Sequence, residues 1–326
     1  MLRLCKILFG LAIIGFSILL FGCVASKEKP IDISKLKIAY NVYYDTATGN
    51  YEVFVMNADG TDKKNISNSA GIDWVYYSYN DKIYFASDRD TTYRMYFLYE
   101  MDANGDNVRK VSDLRLEDSY MGSRKDGTEM IVSGRIGKEI RQQLFLINIL
   151  DGSYRQITTD TAASFADPVF LPGERQIVFR HRLNRRNFQH EKAELWVMND
   201  DGTDKLQLTH YPETDTSAEW HVYHAGPPIV IPGKNNISYM SYQTSNYSIF
   251  SSSPDGKDVK QLTTDELNEG WHNWSPDGEW VVYDASDKNS TWYNIWLMKA
   301  DGSGLKKLTD DWRFEQGPVF VEAAKN

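Results

Sequence analysis

Six acidic or histidine residues occupy equivalent positions, each before an apolar segment of the chain. Side chains of these types can bind a cation. They are Asp73, Asp118, Asp167, Glu219, His272 and Glu315. Carboxylates suit Ca²⁺, whereas Mn²⁺ or Zn²⁺ becomes a candidate when histidine joins them. The residues assigned to such a divalent-cation site are Asp73, Asp118, Asp167 and His272. The alternative is that these side chains cap strand ends, and no compact ligand motif such as His-Glu-x-x-His is present.

Arginine, histidine and aromatic residues concentrate in two longer segments. Four arginines fall within seven residues of RHRLNRRNFQH, which begins with Arg180 and His181. The second segment, EWHVYH, contains Glu219, Trp220, His221, Tyr223 and His224. Arginine binds carboxylates in bidentate fashion, and aromatic rings offer stacking area, to which Trp271 would add. The segments predict a site for an acidic sugar or a peptide carboxylate, with solvated charge pairing as the alternative.

A repeated hairpin must position these residues. An apolar run, an Asp-Gly-type turn and a second short run recur six times, with turn glycines spaced by 45, 47, 50, 54 and 46 residues. The turn glycines are Gly60, Gly105, Gly152, Gly202, Gly256 and Gly302. Asp-Gly and Asn-Gly supply the positive φ that tight hairpins need, and this period is typical of a four-stranded propeller blade.

The two ends of the repeat array complement each other. Residues 37–40, KIAY, match the second strand of a repeat and have no first strand before them, whereas residues 317–321, GPVFV, match a first strand. Ring closure removes exposed sheet edges between blades. We therefore predict an all-β, six-bladed β-propeller in which the C-terminal segment closes blade one.

The N-terminus is typical of a secreted lipoprotein. Arg3 and Lys6 precede an apolar stretch, and LFGC at residues 20–23 resembles a lipobox whose Cys23 is acylated. The predicted organisation is a signal peptide at 1–22, a lipidated tether at 23–35 and the propeller at 36–326. An uncleaved transmembrane anchor is the alternative, although the run is short for a span. The expected location is the bacterial cell envelope, on the periplasmic side of the outer membrane or the cell surface.

Charge and cysteine content restrict the function further. The net charge of −9 argues against a nucleic-acid partner, because such proteins normally carry a basic surface. Cys5 and Cys23 are the only cysteines, so processing at Cys23 would leave no thiol for a disulfide or for catalysis. We expect a monomer that contacts the membrane only through lipid.

The repeats resemble a known family of envelope proteins. WSPDGEWVVYDAS, IWLMKADG and KKLT are similar to the PD40, WD40-like repeat of TolB-like β-propellers, and the resemblance covers about residues 37–321. TolB carries an α/β domain before its propeller, whereas only about a dozen residues separate Cys23 from blade one here. The resemblance therefore implies a TolB-like propeller without that domain, which binds or scaffolds an envelope protein, a peptide or a glycan at its channel mouth.

A second resemblance suggests a different class of function. Oligogalacturonate lyases share related repeats and use a metal with histidine and arginine, roles that would fall here on His221, His224, His272 and Arg180. The closing His-x-His pair of that family has no match near Glu315, where the sequence reads EQG. An enzyme of this kind remains the alternative to a binding module.

Overall fold

The computed structural model describes residues 31–187, 189, 191–219, 221–263 and 267–323. These residues form an all-β protein with two short 3₁₀ turns, Ile33–Lys35 and Arg185–Asn187. Within this described part, neither turn has the length or the apolar character needed to cross a bilayer. The predicted signal peptide, the lipidation site Cys23 and the candidate ligand residue Trp220 lie outside the described residues.

The first sheet joins the two ends of the chain. It has the order β24-β1-β2-β3. The strands are β1 (Leu36–Asp45), β2 (Asn50–Asn57), β3 (Lys64–Asn65) and β24 (Glu315–Glu322). β24 pairs antiparallel with β1 from Leu36 opposite Glu322 to Val42 opposite Glu315. The first and last strands of the described chain therefore lie side by side in one sheet.

Two repeats merge into one eight-stranded sheet. Seven of its strands are paired in the order β11-β10-β9-β7-β6-β5-β4, and the eighth, β8, pairs with β9 outside this order. The strands are β4 (Asp73–Tyr79), β5 (Lys82–Ser87), β6 (Phe97–Asp102), β7 (Arg109–Leu116), β8 (Gly122–Arg124), β9 (Glu129–Ile136), β10 (Ile140–Asn148) and β11 (Tyr154–Gln156). The merger arises because β7 continues past its hairpin and pairs with β9 through Arg115 and Leu116.

Three further sheets have four strands each, in chain order from the inner to the outer strand. The first has β12 (Ser164–Phe170), β13 (Gln176–Arg182), β14 (Glu194–Asn199) and β15 (Leu206–Gln207). The second has β16 (Ile229–Ile231), β17 (Asn236–Gln243), β18 (Asn246–Ser252) and β19 (Lys260–Gln261). The third has β20 (Asn268–Trp274), β21 (Trp280–Ser286), β22 (Tyr293–Lys299) and β23 (Lys306–Lys307).

The repeated residues hold the same local geometry in each outer hairpin. All six predicted turn glycines have φ between 72° and 90°, the left-handed region that glycine adopts without steric cost. The Ser or Thr that ends a repeat accepts a 2.9 Å bond from a backbone N–H fourteen residues earlier in five repeats. The exception is the repeat that contains β7, because its chain runs on into the next pairing. The sequence repeat is thus a structural repeat.

Six of the strands line one shared channel. β4, β8, β12, β16, β20 and β24 all contribute residues to a cavity of about 370 Å³. Apolar clusters fill the spaces between neighbouring sheets, such as Ile131, Leu144 and Phe165 between β9–β10 and β12. We call the end that carries the short hairpin turns the turn face. The opposite end, with the longer connections between strands and sheets, is the loop face.

Candidate functional site

On the turn face the channel widens into the 370 Å³ cavity, whose walls are largely aromatic and aliphatic. They include Tyr77, Tyr79, Met121, Phe170, Ile229, Trp274 and Phe320. Polar atoms enter from Ser78, Asn80 and Asn273, and Glu322 is the acid in the lining. None of the site residues predicted from the sequence lines this cavity.

On the loop face an arginine–aspartate pair stands at the channel mouth. Arg180 extends from β13, and its Nε donates to Asp167 Oδ2 at 2.6 Å. Asp167 is buried on β12 and also accepts from the Ser119 hydroxyl at 3.1 Å and the Tyr120 amide at 3.0 Å. The Arg180 guanidinium lies 4.7 Å from the centre of the Tyr223 ring. Burial opposes the charge on Arg180, but Asp167 outweighs it, so the Arg180 pKa lies above its usual value.

Aromatic rings continue from this pair around the mouth. Trp74 lies edge-on to Trp271, with ring centres 5.6 Å apart, and Tyr76 lies edge-on to Tyr120 at 5.1 Å. The Tyr76 hydroxyl donates to Asp118, whose side chain is exposed in the mouth. Tyr76 and Tyr120 are buried, and the partly buried rings of Trp74 and Trp271 pack against the apolar cluster that contains them.

Several polar atoms at the mouth are buried and meet no hydrogen-bond partner among the described residues. They are the indole Nε1 atoms of Trp74 and Trp271 and the hydroxyl of Tyr120. Two of them converge near Gly317, because a Cβ on that glycine would lie 3.6 Å from the Tyr120 hydroxyl and 3.7 Å from Trp74 Nε1. Buried polar groups are normally satisfied. These donors therefore suit acceptor groups of water or of a ligand in the channel.

A second small pocket opens beside the mouth between β16–β19 and β20–β23. It has a volume of about 120 Å³. Its aromatic walls are Tyr223, Tyr247, Trp271 and Tyr293, and Asp284 provides its carboxyl group. Asp284 is 2% exposed and accepts the Gly317 amide at 2.7 Å. Burial raises the pKa of Asp284 to about 7, against the effect of the backbone amides that it accepts. We call these five side chains the Asp284 pocket.

The structure does not bring the predicted metal ligands together. Among the described residues, no group of three or more His, Cys, Asp and Glu side chains could hold a metal ion. Asp73 pairs with Arg89 at 2.8 Å, Asp167 pairs with Arg180, and Asp118 accepts from Tyr76. His272 Nε2 lies 2.8 Å from the Ser238 hydroxyl. Each expected ligand has its own local partner, in line with the strand-capping alternative rather than a shared site.

The two other carboxylates of that set also lie apart. Glu315 is buried at the start of β24, where it accepts from Asn294 at 3.3 Å, and burial raises its pKa. Glu219 is exposed beside His221, with 3.4 Å between Oε2 and Nδ1. Neither carboxylate contributes to the Arg180–Asp167 pair.

The histidines predicted to bind ligand are separated as well. His181 is buried, and its ring packs on Phe165 with 4.4 Å between ring centres. Burial lowers the pKa of His181, and it lowers the pKa values of His224 and His272 to about 4. These neutral rings act as packing and hydrogen-bonding groups. His181 packs in the core, whereas Arg180, Tyr223 and Trp271 line pockets at the mouth.

Sequence reasoning missed much of the site. Tyr120, Tyr247 and Tyr293 stand in a tyrosine-rich chain where no single tyrosine is conspicuous. Asp284 did leave a signal, because it is a charged residue inside the apolar run WVVYDAS of β21. A carboxylate in a buried strand must be neutral, hydrogen-bonded or paired. That signal could have identified the pocket.

Sequence comparison gives little guidance to function. No protein-family profile matches the chain. An uncharacterized protein from Agrobacterium fabrum is 25% identical over 115 residues, which are 34% of each chain. The chain thus matches only about a third of the length of this relative, which itself has no described activity.

Solved structures give a clear likeness. TolB from Acinetobacter baumannii matches with a TM-score of 0.67 and 16% identity, covering 90% of this chain and 68% of that chain. A putative TolB from Agrobacterium tumefaciens matches with a TM-score of 0.58 and 16% identity, covering 86% and 91%. An oligogalacturonate lyase in complex with manganese matches with a TM-score of 0.55 and 14% identity, covering 83% and 73%. Likeness at these identities establishes the fold alone: the chain has a TolB-like β-propeller fold.

Proposed function

We propose that the chain is a binding module for a peptide segment, which lies across the loop-face mouth of the channel. The observation that carries the proposal is the convergence there of aromatic surface, the Arg180–Asp167 pair and unpartnered donors. Ligand sites of this kind combine mostly apolar walls with a few fixed polar groups. The TolB-like fold is consistent with a binding or scaffolding role, although a propeller by itself hosts many functions.

A peptide suits the chemistry of this mouth. The Tyr120 hydroxyl and the Trp74 indole N–H lack acceptors among the described residues, and every peptide unit carries a carbonyl oxygen that accepts such bonds. Arg180 lines a polar cavity of about 120 Å³ next to Asp118, where a ligand carboxylate would meet the guanidinium. Tyr223 lies under Arg180 and also walls the Asp284 pocket, so one segment could contact both.

The scaffold of this site is a six-bladed ring, with β24 as the inner strand of the first blade. Support for this count comes from the six inner strands that line one cavity. The pairing of β24 with β1 supports closure by the C-terminal segment. Packing of β24 against β4 on one side and β20 on the other agrees with a continuous ring. Such closure would hold the mouth rigid, because it ties the two ends of the chain together in one sheet.

Lipid on Cys23 would attach the module to the cell envelope with the mouth directed away from the membrane. Ile31 is tied to the turn face, because its amide donates to Asp277 Oδ2 at 2.8 Å in the turn between β20 and β21. The interval from Cys23 to Ile31 spans at most about 29 Å when fully extended. A lipid anchor would therefore keep the turn face near the bilayer and leave the loop face free for its ligand.

Selection of displayed peptides on the purified full-length chain tests the proposed function. Peptides enriched on the wild type should bind at least tenfold more weakly to Tyr223→Ala. Binding to the matched control Tyr154→Ala, an exposed tyrosine on outer strand β11, should be unchanged. Equal loss in both variants, or no enrichment of any peptide, would contradict a peptide site at this mouth. Binding of uronate oligosaccharides in place of peptides would favour a glycan module.

A further inference from the structure

We propose that the Asp284 pocket binds the ammonium group of a lysine side chain carried by the ligand. This inference rests on the proposed peptide-binding function and adds a specificity to it. The pocket has the two parts that such recognition needs, a buried carboxyl group and four aromatic rings in its lining. The rings belong to Tyr223, Tyr247, Trp271 and Tyr293.

The first step of the argument is charge. Asp284 is 98% buried, and its hydrogen bonds come from backbone amides, including that of Gly317 at 2.7 Å. No ion pair between described residues includes Asp284, in contrast to Asp73 and Asp167, which each have an arginine. The titratable neighbours facing it are Tyr120 and Tyr293, which carry no positive charge. A buried carboxylate without a cation is costly, and a ligand cation would supply the missing partner.

The second step is the wall of the pocket. A cation over an aromatic face gains about 0.5–2 kcal/mol from the ring quadrupole, most where water is excluded. Trp271 and Tyr293 contribute such rings from β20 and β22, and Tyr247 contributes one from β18. These rings also pack well against the methylene groups of a lysine stem. A neutral sugar could stack on them, but it would not stabilise the ionised form of Asp284, as an ammonium group would.

The third step distinguishes lysine from arginine. A guanidinium prefers a carboxylate whose two oxygens are both open to its fork, whereas an ammonium acts as a compact point charge. Asp284 Oδ2 already accepts the Gly317 amide, and Oδ1 lies against the backbone of Gly270, where a Cβ would be only 2.4 Å away. A bidentate fork therefore has no room. A single N–H of an ammonium group can still donate to Asp284, although the carboxyl group already accepts the Gly317 amide.

The test uses two small probes on the full-length chain: Nα-acetyl-lysine methylamide and its neutral counterpart Nα-acetyl-norleucine methylamide. Binding is followed by ¹H–¹⁵N spectra of the nine tryptophan indoles, with the Trp271 signal assigned by Trp271→Phe. The lysine probe should shift the Trp271 signal and bind at least tenfold more tightly than the norleucine probe. Asp284→Asn should abolish that preference, and Tyr293→Leu should weaken lysine binding severalfold.

Matched controls separate pocket effects from general ones. Asp258→Asn changes an exposed aspartate, and Tyr154→Leu changes an exposed tyrosine, both on other surfaces, so both should leave the preference intact. If Asp284→Asn does not fold, Tyr293→Leu still tests the pocket. Equal binding of the two probes, or an unshifted Trp271 signal, would overturn the proposal, as would a methyl hexoside that shifts the signal and displaces the lysine probe. Selected peptides that need Tyr223 but contain no lysine would overturn it while leaving the proposed function in place.

Discussion

The buried carboxyl group of Asp284 should give the protein a stability that falls as the pH rises. In the unfolded chain this carboxyl group loses its proton near pH 3.8, whereas burial raises its pKa to about 7 in the folded chain. Between these values the folded state holds one proton more than the unfolded state. The free energy of unfolding therefore decreases with rising pH in this window and levels off above it.

The size of the effect follows from the shift. Each pH unit between the two pKa values changes the free energy of unfolding by about 1.4 kcal/mol, so the full window amounts to about 4 kcal/mol. Asp284→Asn removes the titration and keeps the shape of the side chain. Relative to the variant, the wild type should lose about 3 kcal/mol between pH 5 and pH 8. A constant offset between them is also expected, because the Asn amide cannot accept both backbone amides equally well.

Urea unfolding followed by tryptophan fluorescence measures this difference at pH 5, 6, 7 and 8. Asp258→Asn, a change at an exposed aspartate, should track the wild type at every pH. A variant-minus-wild-type difference that stays flat from pH 5 to pH 8 would refute the reasoning. It would mean that Asp284 ionises normally and that its pocket is fully hydrated.

Three further results are expected from the same structure. His272 is buried, and its pKa is lowered to about 4. The free energy of unfolding should therefore fall by up to about 3 kcal/mol as the pH drops from about 6.5 towards 4, and His272→Gln should reduce this loss in urea unfolding. Gly317→Ala should lower the free energy of unfolding by about 2–3 kcal/mol, because φ is +58° and a Cβ would lie 2.9 Å from the side-chain amide nitrogen of Asn41. Gly302→Ala, with open space around it, should lower it by only about 1 kcal/mol. Cys23→Ser should abolish metabolic labelling by palmitate and move the protein from the membrane to the soluble fraction; unchanged fractionation would contradict a lipid anchor.

The repeated hairpins could be predicted from the sequence because each of them depends on residues that are close together in the chain. The turn glycines at 60, 105, 152, 202, 256 and 302 all have the positive φ that the Asp-Gly pattern predicts. Residues 317–321, which the repeat pattern predicts to be a strand, lie within β24. The fusion of β4–β7 with β8–β11 could not be predicted, because the extension of β7 depends on the space left beside β9 rather than on a local signal.

The site was only partly accessible, because a side chain's position in the sequence did not reveal its partner. Asp167, a predicted metal ligand, forms an ion pair with Arg180 from the adjacent strand, which the sequence did not indicate. His181 was expected to face a ligand, but the alternation of β13 directs it into the core against Phe165. Of these two adjacent residues, Arg180 therefore lies at the mouth and His181 packs in the core. Neighbouring residues of a strand point to opposite faces, and only the register decides which one reaches the channel.

Irregular positions in the inner strands explain why the mouth carries so much chemistry. β4, β12, β20 and β24 each break register with the next strand, at residues 76, 167–168, 270–271 and 317–318. An extra residue at such a bulge turns side chains away from the strict inward–outward alternation. These bulges supply Tyr76, Asp167 and Trp271 to the mouth, and at Gly317 they supply open space in place of a side chain. The regular strands therefore build the sheets, while the bulges provide the groups that can bind. Removing one bulge residue should move a single group out of the mouth and leave the remaining sheets intact.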